Sequence, residues 1–145
     1  MNRTWVLVAE SSRARIFSTT GPRAGLDEIR GLTQPEVRLK ERDLVSDSPG
    51  RSFDSGGAGR HAMGRESDQK RHETEMFAKT IAGELERARE RGDFDKLILI
   101  APPAFLGLLR KSMHHCCAER VVATVNKNLV QHDAADIRDH LPEWF

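Results

Sequence analysis

Between Pro49 and His72 the chain reads PGRSFDSGGAGRHAMGRESDQKRH, and five of its 11 glycines fall from Gly50 to Gly64. Arg51, Arg60, His61, Arg65, Lys70, Arg71 and His72 lie among or just after those glycines. Arginine, lysine and histidine next to unrestrained backbone can contact phosphates. The five Lys and Arg outnumber Asp54, Glu66 and Asp68 by two. Only Phe53, Ala58, Ala62 and Met63 are apolar, too little to offset the entropy of ordering the segment. A long loop is therefore expected at about 43–66. Long loops in compact domains often serve function.

Other chemistries fit less well. The segment lacks the Gly-Lys-Ser/Thr ending of a P-loop and does not directly follow a strand, so a nucleotide cradle is not expected. The protein has no tyrosine, and Phe53 is the loop's one aromatic, so neither is a base-stacking platform. His114-His115-Cys116-Cys117 has zinc-binding residue types but not zinc-binding spacing. Four consecutive side chains cannot all face one ion, so a helix end with both thiols buried is expected, with no metal and no cofactor. A two-metal nuclease needs clustered carboxylates. The first apolar run has no acid before Glu10. No Ser-His-Asp or Cys-His arrangement is readable from the order of residues.

The bulk composition limits the remaining classes. A chain of 145 residues suggests one domain, 1–145, large enough to bury a core without staples. Net charge is +1, so any nucleic-acid contact must come from a local patch. The adjacent Cys116 and Cys117 make a poor disulfide, which fits a reducing compartment. Trp5 to Ala9, the longest N-terminal apolar run, is too short for a signal core or a membrane span. A cytoplasmic protein is expected.

The elements that would position the loop follow from apolar patterning. Trp5 to Ala9 reads as a central strand and Arg13 to Thr19 as its hairpin partner. Leu26 to Thr33 reads as a third strand, with Val37 to Leu39 as a short extension. Ser67 would cap a helix reaching about Arg91, with Asp68 in its first turn. Phe77, Ile81, Leu85 and Ala88 would form its apolar stripe, and Gly92 its stop. Lys96 to Ala101 is a second buried strand, ended by Pro102 and Pro103. A short helix with Phe105, Leu108 and Leu109, a strand at Arg120 to Asn126 and a last helix from Asp133 with Ala135, Ile137 and Leu141 complete the chain. The fold class is thus α/β, a single domain. Its mixed sheet is an antiparallel meander followed by parallel crossovers, with helices on the faces, as in ribonuclease H-like folds. Trp144 and Phe145 would dock on the domain's own core or meet a second copy in a homodimer.

Two resemblances add to this reading. Trp5 to Phe17, and Pro49-Gly50-Arg51-Ser52-Phe53-Asp54 continued by Gly59-Arg60-His61-Ala62-Met63, resemble the bacterial host attachment proteins. That resemblance extends over nearly the whole chain. From about Leu44 to Met113 the chain also resembles, more distantly, the central domain of archaeo-eukaryotic class 1 release factors. In that family a loop with a Gly-Gly-Gln tip precedes a long helix with a basic start. Here Gly56-Gly57 is followed by Lys70-Arg71-His72. The resemblance implies a module that contacts RNA or the ribosome, with ribosome or tRNA as partner and Gly56, Gly57 and Ala58 as the tip; no membrane or DNA partner is expected. The family's glutamine falls at Ala58, which keeps a backbone N–H but lacks the side-chain amide. The resemblance therefore carries contact further than peptidyl-tRNA hydrolysis. The attachment resemblance implies instead a factor that affects attachment indirectly from inside the cell, or a protein-interaction domain.

Overall fold

The structure, a computed structural model, describes residues 2–35 and 62–145, with 62–66 as backbone only. The strands are β1 (Thr4–Ala9), β2 (Arg13–Thr19), β3 (Asp27–Thr33), β4 (Lys96–Ile100) and β5 (Val121–Val125). The helices are α1 (Ala62–Arg91), α2 (Pro103–Ser112), α3 (His115–Ala118) and α4 (Ala134–Asp139). They form one five-stranded sheet in the order β3-β2-β1-β4-β5. The first three strands pair antiparallel, and β4 and β5 add in parallel. This is the mixed α/β architecture expected from the sequence, an antiparallel meander followed by two parallel strands.

Sheet position explains why β1 and β4 are apolar at nearly every residue. Both are central, and alternate side chains enter two different cores. Trp5, Leu7, Leu97 and Leu99 face one layer, where Phe77, Ile81 and Leu85 of α1 meet Phe105 and Leu109 of α2. Val6, Val8, Ile98 and Ile100 face the other, with Phe17, Leu129, Val130 and Ile137. Each fully buried large side chain contributes roughly 1.5–3 kcal/mol. Two aromatic contacts knit the first layer: Trp5 to Phe94 at 5.2 Å and Phe77 to Phe105 at 6.1 Å between centroids.

The second layer depends on long-range polar contacts. Arg15 donates to both carboxylate oxygens of Glu28 at 3.1 and 2.8 Å. It also donates to the carbonyls of Val130 at 2.9 Å and His132 at 2.6 Å. Arg138 donates twice to the carbonyl of Pro22, at 3.1 and 2.6 Å. The planar guanidinium thus fastens the C-terminal segment to the sheet at both places. Leu141 and Phe145 pack on this core, whereas Trp144 is 67% exposed.

Several boundaries differ from the expectation. α1 begins at Ala62, five positions before Ser67, so Ser67 is an exposed residue within the helix and Asp68 lies beyond its first turn. Ala62, Met63, Arg65 and Glu66 are good helix formers, and extending a nucleated helix is easier than starting one. α4 ends at Asp139, before Leu141. Pro142 explains this, because it disfavours helical backbone at the preceding residue. Gly92 does end α1, at φ 77°. Its N–H donates to Arg89 O and the N–H of Asp93 to Ala88 O, each at 2.9 Å, a Schellman closure. The extension at Val37 to Leu39 lies outside the described residues.

Candidate functional site

Strands β1, β3, β4 and β5 all end at one edge of the sheet, the carboxyl end where crevices form in open α/β folds. A crevice of about 340 Å³ opens there, lined by Glu10, Ser11, Thr74, Pro102, Phe105 and Asn128 among others. Its floor is apolar, from Phe105 and Leu108, and its rim is polar. Glu10 is its one carboxylate among the described residues, and the local turn holds it. That carboxylate accepts from the Ser12 N–H at 2.7 Å and from the Ser12 hydroxyl. The hairpin and β3 are tied together at this edge, because Gln34 Nε2 donates to Ser11 O at 2.8 Å.

Gln34 lies at this edge, just before the undescribed residues 36–61, and the chain is described again from Ala62, the start of α1. α1 has 30 residues and is about 45 Å long. Thr74 lines the crevice, and the helix continues for about 18 Å on its N-terminal side. Burial changes along this path. Ser67 to His72 are all exposed, Glu73 to Met76 are half-buried, and Phe77 begins the core. The head of α1 therefore rises past the end of the sheet and away from the core.

The basic residues expected at this site separate accordingly. Lys70, Arg71 and His72 are brought together on the exposed head of α1. Neither Lys70 nor Arg71 has a carboxylate partner among the described residues. The backbone of Arg65 lies in the helix. Arg51, His61 and Arg60 lie outside the described residues, as do Gly56, Gly57 and Ala58 of the proposed tip.

A second polar cluster lies at the opposite, amino end of the sheet. His114 precedes α3 in extended conformation, at φ −62° and ψ 142°, and its Nδ1 accepts from the Cys116 N–H at 3.1 Å. The His114 and His115 rings stack at 4.4 Å. Glu86 Oε2 lies 3.8 Å from His114 Nδ1, while Arg89 donates to both Glu86 oxygens at 2.9 and 2.7 Å. That fork holds the Glu86 carboxyl below the usual carboxylate range and raises Arg89. Cys117 turns into the core, where burial pushes its thiol up to about 11. The expectation that four consecutive side chains cannot all face one ion holds, because Cys117 is turned away into the core. Donor atoms of His114, His115 and Cys116 lie within 4.8 Å of one another. Residue spacing concealed this, because it does not show that the chain bends at His114.

No helix among the described residues is long and apolar enough to cross a membrane. No curated protein matches this chain. Among solved structures, an archaeal translation termination factor is similar in fold, with a TM-score of 0.52 and 14% identity. The match covers 98% of this chain and 36% of the factor, so the chain spans little more than a third of that protein's length. The resemblance in fold to a release factor, expected for about Leu44 to Met113, is thus found as a distant fold similarity covering 98% of the chain. The profile described as protein required for attachment to host cells matches residues 5–141. Since that match takes in all five strands, both cores and the carboxyl-end crevice, the chain belongs to this host attachment family.

Proposed function

We propose that this protein is a cytoplasmic, release-factor-like module that contacts RNA or the ribosome through the head of α1 and the Gly-rich segment leading into it. One observation carries the reading: Lys70, Arg71 and His72 are exposed on a helical arm that projects beyond a release-factor-like fold. The buried half of α1 fixes the arm, so contact at its head needs little ordering of the helix itself. Arg51, Arg60, His61 and Arg65 would extend the same basic surface. The tip around Gly56 and Gly57 would approach the RNA partner, where glycine permits close backbone approach. Hydrolysis of peptidyl-tRNA is not part of the proposal, because Ala58 has no side-chain amide to place a water. We read the attachment in the family's description as an indirect consequence of this activity inside the cell.

Ribosome co-sedimentation tests the reading. The natural protein should pellet with ribosomes. Lys70→Glu with Arg71→Glu, and separately a deletion of Gly56 to Arg60, should leave most of it in the supernatant. Equal pelleting of all three would refute contact through this surface. Comparing peptidyl-tRNA hydrolysis by Ala58→Gln and by the natural sequence shows whether restoring the amide restores chemistry.

A further inference from the structure

The cluster at the amino end of the sheet is independent of the RNA reading. We propose that His114, His115 and Cys116 form a mononuclear zinc site, with water as the fourth ligand. Two imidazoles and a thiolate form a donor set zinc accepts, and three protein ligands leave one position open. Zinc bonds of roughly 2.0–2.3 Å require donors about 3.3–3.8 Å apart in a tetrahedron. One donor atom from each residue already lies within 4.8 Å of the other two, and rotation of these surface side chains would bring the chosen donors to tetrahedral spacing. His114 and His115 are exposed, and Cys116 is a free, half-buried thiol, so an ion can enter without unfolding the region. Cys117 is in the core and takes no part.

Glu86 would support the site from outside the coordination sphere. With zinc on His114 Nε2, Nδ1 would carry the proton, and Glu86 Oε2, now 3.8 Å away, would move in by under an ångström to accept it. A carboxylate holding the far nitrogen of a ligand histidine is a recurrent way to fix its tautomer and orientation. Arg89 holds Glu86 for that purpose through its two hydrogen bonds. In return His114 gives up the hydrogen bond it accepts from the Cys116 N–H. The step is a simple exchange: the Cys116 thiol releases its proton, zinc takes its place on sulfur, and no electron moves.

Cobalt(II) titration of the reduced, chelator-treated protein tests this. Cobalt should bind one per chain, giving the near-ultraviolet thiolate-to-cobalt band and the intense visible bands of four-coordinate cobalt. One equivalent of zinc should displace it. Cys116→Ser should abolish the thiolate band, and His115→Ala should weaken cobalt binding at least tenfold. Glu86→Gln should weaken it by about 10–100-fold. Cys117→Ala should keep every band, with circular dichroism confirming the fold of each variant. No cobalt spectrum in the natural protein would overturn the site. So would a thiolate band that survives Cys116→Ser and disappears in Cys117→Ala.

Discussion

The two halves of α1 are parts of one continuous helix with opposite roles. From Phe77 to Ala88 the apolar stripe is fully buried against the sheet and α2. From Ser67 to His72 every position is exposed. The first half stabilises the fold. The second contributes little to stability but gains reach, because its backbone is fixed by the half that packs. A helix longer than its core needs can therefore present charge at a set distance from the domain, a more precise device than a loop alone.

The sharpest way to break this comparison is to cut each half. Leu85→Ala should cost about 2–5 kcal/mol in a denaturant titration, through lost burial and the cavity left behind. Arg71→Ala should stay within about 0.5 kcal/mol of the natural protein. Similar losses for both would mean that the head is structural. Gly92→Ala is next in size. No atom lies within 4 Å of the added Cβ, so its effect isolates the backbone strain of φ 77°, about 1–2 kcal/mol. A neutral result would show that the Schellman closure does not fix where the buried half ends.

The smallest expected effect is at the sheet edge. A hydrogen bond from Arg15 holds the Glu28 carboxyl below its ordinary value of 4.5. Because the folded value is the lower one, the pair's contribution is fully present above pH 4.5 and is lost as the pH falls through the depressed folded value. With the Glu28 side chain 40% exposed, that contribution is under about 1 kcal/mol. The stability gap between the natural protein and Glu28→Gln should therefore narrow on acidification below pH 4.5. A gap that stays constant would detach it from this titration.

How much was legible in the sequence follows the range of the interactions. β1, β4 and the α1 stripe were readable because apolar periodicity is local and both cores demand it. The head of α1 was not fully readable. Ser67-Asp68 has the chemistry of a cap, and nothing nearby shows that the helix has already begun at Ala62. Arg15 looked like one more polar residue on an alternating strand, yet its guanidinium reaches carbonyls 115 and 117 positions away. The cluster at His114, His115 and Cys116 was hidden for a related reason, since it depends on the extended backbone at His114. The basic run Lys70-Arg71-His72 was visible at once, but its projection past the sheet required the fold.

The central claim, contact with RNA through the head of α1, is tested most directly by salt-dependent binding of a fluorescent single-stranded RNA. For three to five phosphate contacts, log affinity against log salt should slope at about −2 to −3.5, and Lys70→Ala with Arg71→Ala should make that slope shallower by about 1.4. A flat slope in the natural protein, or the same slope in both proteins, would contradict the account.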